Sequence, residues 1–188
     1  MATADENLLI SGFHGKLGNQ LVFRQRNGRT IVSTTPGKRK ARPAGKQLQS
    51  CNRFKMGLLW AKEVLKDPAQ FAAYKEKTTG WQTPLNMALS DYMKSPVVTG
   101  INTSLYHGCA GDTILVTATD NFHVKEVSIK ICTPDGKVLE NGLCQPDQTG
   151  SYWQYIATMD AETTAGITIT GIARDNPGHT GEMKITLG

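Results

Sequence analysis

Twelve lysines and arginines between residues 7 and 62 are the side chains of this sequence best suited to chemistry, since the same stretch contains no Asp or Glu. Cations without neighbouring acids attract a negatively charged partner. The chemistry that they indicate is therefore electrostatic binding and not catalysis. The predicted partner-binding face comprises nine of them: Lys16, Arg24, Arg26, Arg29, Lys38, Arg39, Lys40, Arg42 and Lys46.

Nucleic acid is one partner that such a face could bind. Residues 14 to 62 would supply the cations, and each phosphate that they neutralise would release counterions. The stretch holds few aromatic side chains on which bases could stack, so this function is the alternative rather than the preferred one.

An acidic protein surface is the preferred partner, and the chain itself carries one. Residues 1 to 100 hold sixteen basic and six acidic residues (net +10), whereas residues 101 to 188 hold five and ten (net −5). Copies could therefore associate head to tail, and a contact of that kind makes a filament when it does not close into a ring.

No pattern of residues indicates an enzyme. Residues 11 to 18 contain three glycines and Lys16, yet they match neither of the glycine-rich phosphate-binding motifs. The histidines lack the spacing of a metal site on one element: His14, His107, His123 and His179. We therefore predict a protein that is not an enzyme, with no catalytic residues, no cofactor and no metal ion.

Two Asp-Asn pairs stand where loops of the C-terminal half begin, Asp120-Asn121 and Asp175-Asn176. Their oxygen atoms could hold Ca²⁺ if the two loops converge at one end of the domain. The favoured interpretation is the Asx turn, in which the aspartate oxygen accepts hydrogen bonds from backbone amides shortly after it.

The four cysteines form no C-x-x-C pair and have apolar neighbours, so we expect reduced thiols in the core. A Cys132–Cys144 disulfide is the alternative in an oxidising compartment. The N-terminus lacks the basic and apolar regions of a signal peptide. We expect synthesis in the cytoplasm, no membrane association and a final location in an assembled particle or filament.

The elements that must position these residues begin with a hairpin. Residues 21 to 26 and 29 to 34 are β-rich runs separated by Asn27-Gly28, which suits a two-residue type I′ turn. Alternation places Leu21 and Phe23 on one face, and Val22, Arg24 and Arg26 on the other. The hairpin is therefore predicted to be apolar on one side and mostly cationic on the other.

Helices are predicted after the basic connector. Apolar residues from Leu48 to Leu65 follow helical spacing over about twenty residues. Asp67-Pro68 and Thr83-Pro84 each combine a capping side chain with a proline suited to the first helical turn, and they start two shorter helices. A domain boundary is predicted at Ser95-Pro96, where charge sign and periodicity change.

The rest of the chain alternates short β runs with turn residues, over residues 113–119, 124–133, 137–143, 151–158, 167–174 and 184–187. This spacing is typical of an antiparallel sandwich of about seven strands. The predicted fold is α+β, with a basic hairpin and helices in residues 1–95 and an all-β sandwich in residues 97–188.

Two resemblances add to this interpretation. Residues 97–188 resemble a bacterial immunoglobulin-like or fibronectin-like module, with Pro134-Asp135-Gly136-Lys137 as its hairpin, although the disulfide spacing of antibody domains is absent. Residues 10–60 resemble the start of an uncharacterised bacterial and phage family through Gly15-Lys16-Leu17-Gly18-Asn19, Leu21-Val22-Phe23, Gly28-Arg29-Thr30-Ile31-Val32 and Arg42-Pro43. The second resemblance implies a noncatalytic structural protein and carries over no active site.

The predicted function is therefore that of a structural subunit. It would assemble into or decorate a phage-like virion or a bacterial filament through its basic N-terminal region, with the sandwich projecting outward. Its partners would be further copies or other structural proteins with an acidic surface. A strand such as residues 21 to 26 could add to a neighbour's open sheet edge.

Overall fold

The computed structural model describes residues 2–3, 9–26, 28–37, 44–147 and 152–188. Spatial contacts divide the chain into two compact units, Met1–Gln49 and Ser50–Gly188. The class is α+β, as predicted, with three helices and antiparallel sheets.

The first unit contains a four-stranded antiparallel sheet. Its strands are β1 (Ala2–Thr3), β2 (Gly15–Leu17), β3 (Leu21–Arg26) and β4 (Arg29–Thr34), in the order β1-β4-β3-β2. The predicted hairpin is confirmed with its predicted bounds, and the pairing of Arg26 with Arg29 leaves a two-residue turn. Gly28 has a φ of 77°, the left-handed conformation that such a turn favours.

Burial in β3 differs in part from the predicted alternation. Val22 and Phe23 are each only 8% exposed, although neighbouring residues of a strand point to opposite faces. Alternation predicts Val22 on the cationic face, so that face is apolar and buried at this point. Arg24 and Arg26 further along the strand are exposed, as predicted.

The three helices are α1 (Gly45–Val64), α2 (Pro68–Glu76) and α3 (Pro84–Met93). Both predicted caps are confirmed, since Asp67 accepts a hydrogen bond from the amide of Ala69 and Thr83 accepts one from the amide of Asn86. Each cap is followed by a proline in the first turn, whose missing N–H would have had no partner there.

The predicted apolar stripe of α1 is only partly correct. Leu48 and Phe54 are 46% and 49% exposed, and the buried side of the helix is centred on Gly57 and Ala61. A Cβ at Gly57 would lie 2.7 Å from a ring carbon of Tyr92, so the glycine is what permits this close packing. Helical spacing of large apolar residues could not reveal a contact made by the absence of a side chain.

The second unit contains a β-sandwich. One sheet has the order β5-β6-β10-β9 and is formed by β5 (Val97–Leu105), β6 (Thr113–Thr119), β9 (Gln145–Pro146) and β10 (Trp153–Ile156). The other has the order β12-β11-β7-β8 and is formed by β7 (Glu126–Cys132), β8 (Val138–Leu143), β11 (Thr168–Arg174) and β12 (Thr180–Thr186). Buried residues of both sheets form one core, including Ile114, Val116, Ile129, Ile131 and Ile169.

Strand β5 is the main strand of the sandwich that the sequence pattern did not predict. Its residues are largely polar or small, and its pairing with β6 shifts register twice, between Val98 and Gly100 and between Asn102 and Leu105. Bulges of this kind break the two-residue alternation by which strands are recognised in a sequence.

Helices α2 and α3 belong to the same compact unit as the sandwich. The ring of Tyr74 in α2 stacks on that of Phe122, in the loop between β6 and β7, with centroids 4.0 Å apart. The predicted boundary at Ser95-Pro96 therefore lies inside this unit. Independent folding of residues 97–188 stays a prediction.

Candidate functional sites

Four of the predicted partner-binding cations lie on one face of the N-terminal sheet. Arg24 and Arg26 are two residues apart in β3 and therefore point the same way. Strand pairing places Lys16 and Arg29 on the same face, because directly paired residues of neighbouring strands share a face. Arg29 is paired with Arg26, and Lys16 is paired with Val22. We call Lys16, Arg24, Arg26 and Arg29 the cationic face, and all four side chains are exposed.

The remaining predicted positions fall elsewhere. Lys46 is exposed near the start of α1. The predicted turn residue Asn27 and four predicted cations, Lys38, Arg39, Lys40 and Arg42, lie outside the described residues.

The cationic face brings like charges close together. Arg26 and Arg29 are directly paired across the hairpin, and like charges in this position repel each other. None of the ion pairs found among the described residues involves Lys16, Arg24 or Arg26. These three cations are therefore available to an acidic partner.

The opposite face of the sheet is covered by the glycine-containing segment. The side chain of Gln25 donates to the carbonyl oxygen of Phe13 (3.1 Å) and to the hydroxyl of Thr30 (2.7 Å). The ring of Phe13 meets that of Phe23 edge to face at 5.8 Å. Residues 11 to 18 are thus held over the sheet by side-chain contacts.

Strand β2 forms one end of the described sheet. The prediction that residues 21 to 26 add to a neighbour's sheet edge is wrong, because β3 is paired with β4 on one side and with β2 on the other. The side of β2 away from β3 has no neighbouring strand among the described residues, and all three of its residues are exposed. Its Leu17 is 62% exposed, and Phe13 beside it is 50% exposed.

A buried polar cluster lies in the second unit, where α2 and α3 meet the loops of the sandwich. The hydroxyl of Tyr74 donates to Asp91 Oδ2 at 2.6 Å, and both residues are fully buried. The amide of Asn176 donates to the same hydroxyl (2.9 Å) and to Gln70 Oε1 (3.2 Å). These bonds join two helices to the loop that follows β11.

The pKa values in this cluster are shifted by burial. Loss of hydration raises the pKa of Asp91 to about 7, and the nearby negative charges of Asp120 and Asp175 act in the same direction. Burial, with the hydrogen bond to Asp91, raises the pKa of Tyr74. Tyr74 therefore stays a hydrogen-bond donor at any physiological pH.

The predicted loop caps are present in both Asp-Asn pairs. Asp120 Oδ2 accepts hydrogen bonds from the amides of Phe122 (3.3 Å) and His123 (3.2 Å). Asp175 Oδ1 accepts one from the amide of His179 (2.5 Å), and its Oδ2 lies 3.2 Å from the Nδ1 atom of that histidine. The Asx-turn interpretation is confirmed for Asp120, whereas Asp175 holds its loop through an amide four residues later.

The sequence offered one overlooked signal for the polar cluster. Asp91 shares the buried side of α3 with Met87 and Ala88, so a charged residue occupies an apolar position of the helix. Carboxylates are rarely fully buried unless they are paired, and this placement could have indicated a partner. Its identity as Tyr74 could not have been read from spacing.

All four cysteines are free thiols. The expectation that they lie in the core is wrong for Cys109, which is exposed. It is exposed in the turn before β6, where its amide donates to the carboxylate of Asp112 at 2.9 Å. Burial raises the pKa of the Cys144 thiol to about 12. Within the described ranges no helix is long and apolar enough to cross a membrane.

Comparison with known proteins finds no matching family model and no matching curated protein. CopC from Methylosinus trichosporium OB3b aligns with 48% of this chain and 88% of its own, at 16% identity and a TM-score of 0.35. An engineered protein aligns at 20% identity and a TM-score of 0.35, over 47% of this chain and 19% of its own. A tetra-tandem repeat from the extending region of a large adhesion protein aligns at 15% identity and a TM-score of 0.32, over 48% of this chain and 22% of its own. Likeness at this level carries no argument about function.

Proposed function

We propose that the protein is a non-enzymatic structural subunit that assembles into or decorates a larger particle, such as a phage-like virion or a bacterial filament. Its basic N-terminal unit makes the docking contact, and the sandwich is presented outward. The observation that carries this proposal is the alignment of Lys16, Arg24, Arg26 and Arg29 on one exposed face of the N-terminal sheet.

Charge alignment supports a docking role because Lys16, Arg24 and Arg26 present three exposed cations on the same face of the sheet. None of the ion pairs found among the described residues involves these three side chains. A partner with carboxylates could therefore pair with several of them at once. Exposed ion pairs contribute only about 0–1 kcal/mol each, so several cations must act together.

Strand β2 offers a second component of the same contact. An edge strand presents backbone N–H and C=O groups that can pair with a strand of another chain. Leu17 on this strand and Phe13 beside it add exposed apolar area, which a partner strand would cover. Strand addition at β2 and ion pairing at the cationic face would together fix register and orientation.

The preferred partner is another copy of this chain or a structural protein with an acidic surface. The net charge of −5 in residues 101 to 188 makes this half of the chain a suitable acidic surface. We also propose that the sandwich is an immunoglobulin-like module and that residues 10–60 belong to the uncharacterised bacterial and phage family that they resemble.

Sedimentation velocity of the full chain at about 0.05 M and about 0.5 M NaCl tests this proposal, because screening shortens electrostatic reach from about 14 Å to about 4 Å. We expect assemblies at low salt that dissociate at high salt. The double variant Arg24→Glu, Arg26→Glu should abolish them. Lys75→Glu, Lys77→Glu is the matched control, since it reverses two exposed cations of the second unit outside residues 101 to 188.

The same variants separate the two partner classes. Titration with duplex and single-stranded DNA near 0.15 M salt should show only weak binding. Submicromolar binding that falls steeply with salt and is lost in the Arg24→Glu, Arg26→Glu variant would favour the nucleic-acid function instead. A chain that stays monomeric at low salt and binds no DNA would contradict self-assembly and leave only a separate acidic protein as the partner.

A further inference from the structure

The two sheets of the sandwich leave a cleft open between strands β8 and β10. It has a volume of about 350 Å³ and is lined mainly by residues of β8, β9 and β10. Two exposed apolar side chains stand on its walls, Leu143 of β8 (63% exposed) and Ile156 of β10 (56% exposed). The lining contains no charged side chain. The cleft therefore presents apolar surface to solvent.

One wall of the cleft is an open sheet edge. Strand β9 covers only the first two residues of β10, so the rest of β10 has β6 as its one neighbouring strand among the described residues. The backbone of Ala157 donates to Asp112 and accepts from Gly111, in the turn that leads into β6. Because successive residues of an antiparallel strand turn their N–H and C=O groups to opposite sides, those of Ile156 point away from β6. A strand of another chain could pair with them.

A buried carboxylate lies behind the wall of the cleft. Glu140 is only 6% exposed, and its Oε2 atom accepts hydrogen bonds from two residues that line the cleft. The hydroxyl of Tyr155 donates at 3.0 Å, and the amide and hydroxyl of Thr158 donate at 2.9 Å and 2.7 Å. None of the ion pairs found among the described residues involves Glu140. This charge therefore favours a cationic occupant, because a protein interior screens it poorly.

On the basis of the assembly proposed above, we propose that this cleft receives strand β2 of a second copy of the chain. Strand β2 ends the described part of its sheet and carries one cation and one exposed apolar side chain, Lys16 and Leu17. The charge of Lys16 is opposite to that of Glu140 and to the net charge of −5 in residues 101 to 188. Two different surfaces meet in this contact, so it is heterologous and builds a filament when it does not close.

The alternation of side chains allows one strand to match both features of the cleft. Ile156 is exposed, whereas Tyr155 beside it is buried and contacts Glu140, so the two lie on opposite faces of β10. Lys16 and Leu17 also lie on opposite faces of β2. A β2 strand added beside β10 with Leu17 next to Ile156 therefore has Lys16 on the face of Tyr155. The apolar pair loses contact with water, and the ammonium group lies on the side of the buried carboxylate.

Disulfide trapping between two variants of the full chain tests this contact directly. The three native cysteines that are not fully buried are first replaced by serine: Cys51, Cys109 and Cys132. A Leu17→Cys chain and an Ile156→Cys chain are then mixed at about 0.05 M NaCl and oxidised with copper phenanthroline. We expect the mixed disulfide as the main product, in excess over the homodimers that random collision forms. Val97→Cys, which is 57% exposed on β5 at the opposite edge of the same sheet, replaces Ile156→Cys in the matched control and should give several-fold less.

Sedimentation velocity at low salt measures how much the walls of the cleft contribute. Leu143→Ser and Ile156→Ser should each raise the chain concentration needed for assembly about tenfold, because each removes apolar area that the contact covers. Both side chains are exposed in the free chain, so both variants should stay folded by near-ultraviolet circular dichroism. Val138→Ser is the matched control, since Val138 is 46% exposed on β8 but does not line the cleft, and it should assemble like the wild-type chain.

A mixed disulfide no more abundant than in the Val97→Cys control would overturn the proposal. Unchanged assembly of both Leu143→Ser and Ile156→Ser would overturn it as well. In either case, wild-type assembly that dissociates at high salt and is lost in Arg24→Glu, Arg26→Glu still supports the proposed function, so the two failures are distinguishable. A wild-type chain that stays monomeric at low salt would overturn self-assembly and the second copy as occupant together.

Discussion

Replacing Tyr74 by phenylalanine tests whether the buried polar cluster holds the helices to the sandwich. The substitution deletes one hydroxyl and keeps the ring, so stacking on Phe122 at 4.0 Å is preserved. The lost hydroxyl donates to Asp91 at 2.6 Å and accepts from Asn176 at 2.9 Å. The experiment therefore isolates the hydrogen bonds from the packing.

The expected loss is worked from these two bonds. At a pH of about 8 Asp91 is mostly ionised, because its pKa is about 7, and a hydrogen bond to a charged group contributes about 1.5–3 kcal/mol. Asp91 has no other donor for Oδ2 among the described contacts. Asn176 keeps a second acceptor in Gln70, so its bond adds little. We expect Tyr74→Phe to lower the free energy of unfolding by about 2–3 kcal/mol.

Urea unfolding followed by tryptophan fluorescence measures this loss, because Trp60 meets Tyr74 edge to face with centroids 6.5 Å apart. Tyr152→Phe is the control, since this tyrosine is 48% exposed and should lose less than about 0.5 kcal/mol. A loss below that value for Tyr74→Phe as well would refute the reasoning that the hydroxyl stabilises the fold.

Three further predictions concern pH, close packing and turn geometry. The stability difference between Asp91→Asn and the wild-type chain should grow in favour of the variant as pH rises from about 4 to about 8. The pKa of Asp91 is raised to about 7 in the folded chain, so the stability that the protonated side chain contributes is complete below the unfolded pKa and is lost as pH rises through the folded pKa. Parallel urea midpoints for the two chains at every pH would contradict this. Gly181→Ala should lower the free energy of unfolding by at least about 1–3 kcal/mol, because the new Cβ would lie 1.9 Å from the carbonyl oxygen of Pro96, whereas Gly100→Ala, with open space around its Cβ, is the control. Gly28→Val should weaken low-salt assembly in sedimentation velocity while the second unit stays folded by near-ultraviolet circular dichroism, since the φ of 77° at this position opposes a β-branched residue; unchanged assembly would exclude the hairpin from the interface.

The parts of the fold that the sequence predicted well are those determined by neighbouring residues. The two hairpin strands have the predicted bounds because a turn and period-two alternation define them locally. The caps Asp67 and Thr83 act on amides two and three residues away. In such cases the interacting groups stand within one window of sequence, so a pattern is sufficient.

The polar cluster could not be predicted in this way, because its contacts cross the whole second unit. Asn176 donates to Gln70, 106 residues earlier in the chain. Tyr74 and Asp91 lie on different helices, and Asp120 approaches Asp91 only because the loop after β6 packs beside α3. The pairing of carboxylates follows from tertiary packing, and nothing in the local sequence around either residue specifies it.

The cationic face lies between these two cases, and this determines what the sequence can say about function. The two-residue turn pairs Arg26 with Arg29, so Arg24, Arg26 and Arg29 share a face by local rules alone. Lys16 joins them only because β2 pairs with β3 in a register that places it beside Val22. Charge segregation along a sequence therefore predicts that a partner is acidic, whereas the register of an added strand determines how many cations that partner can contact at once.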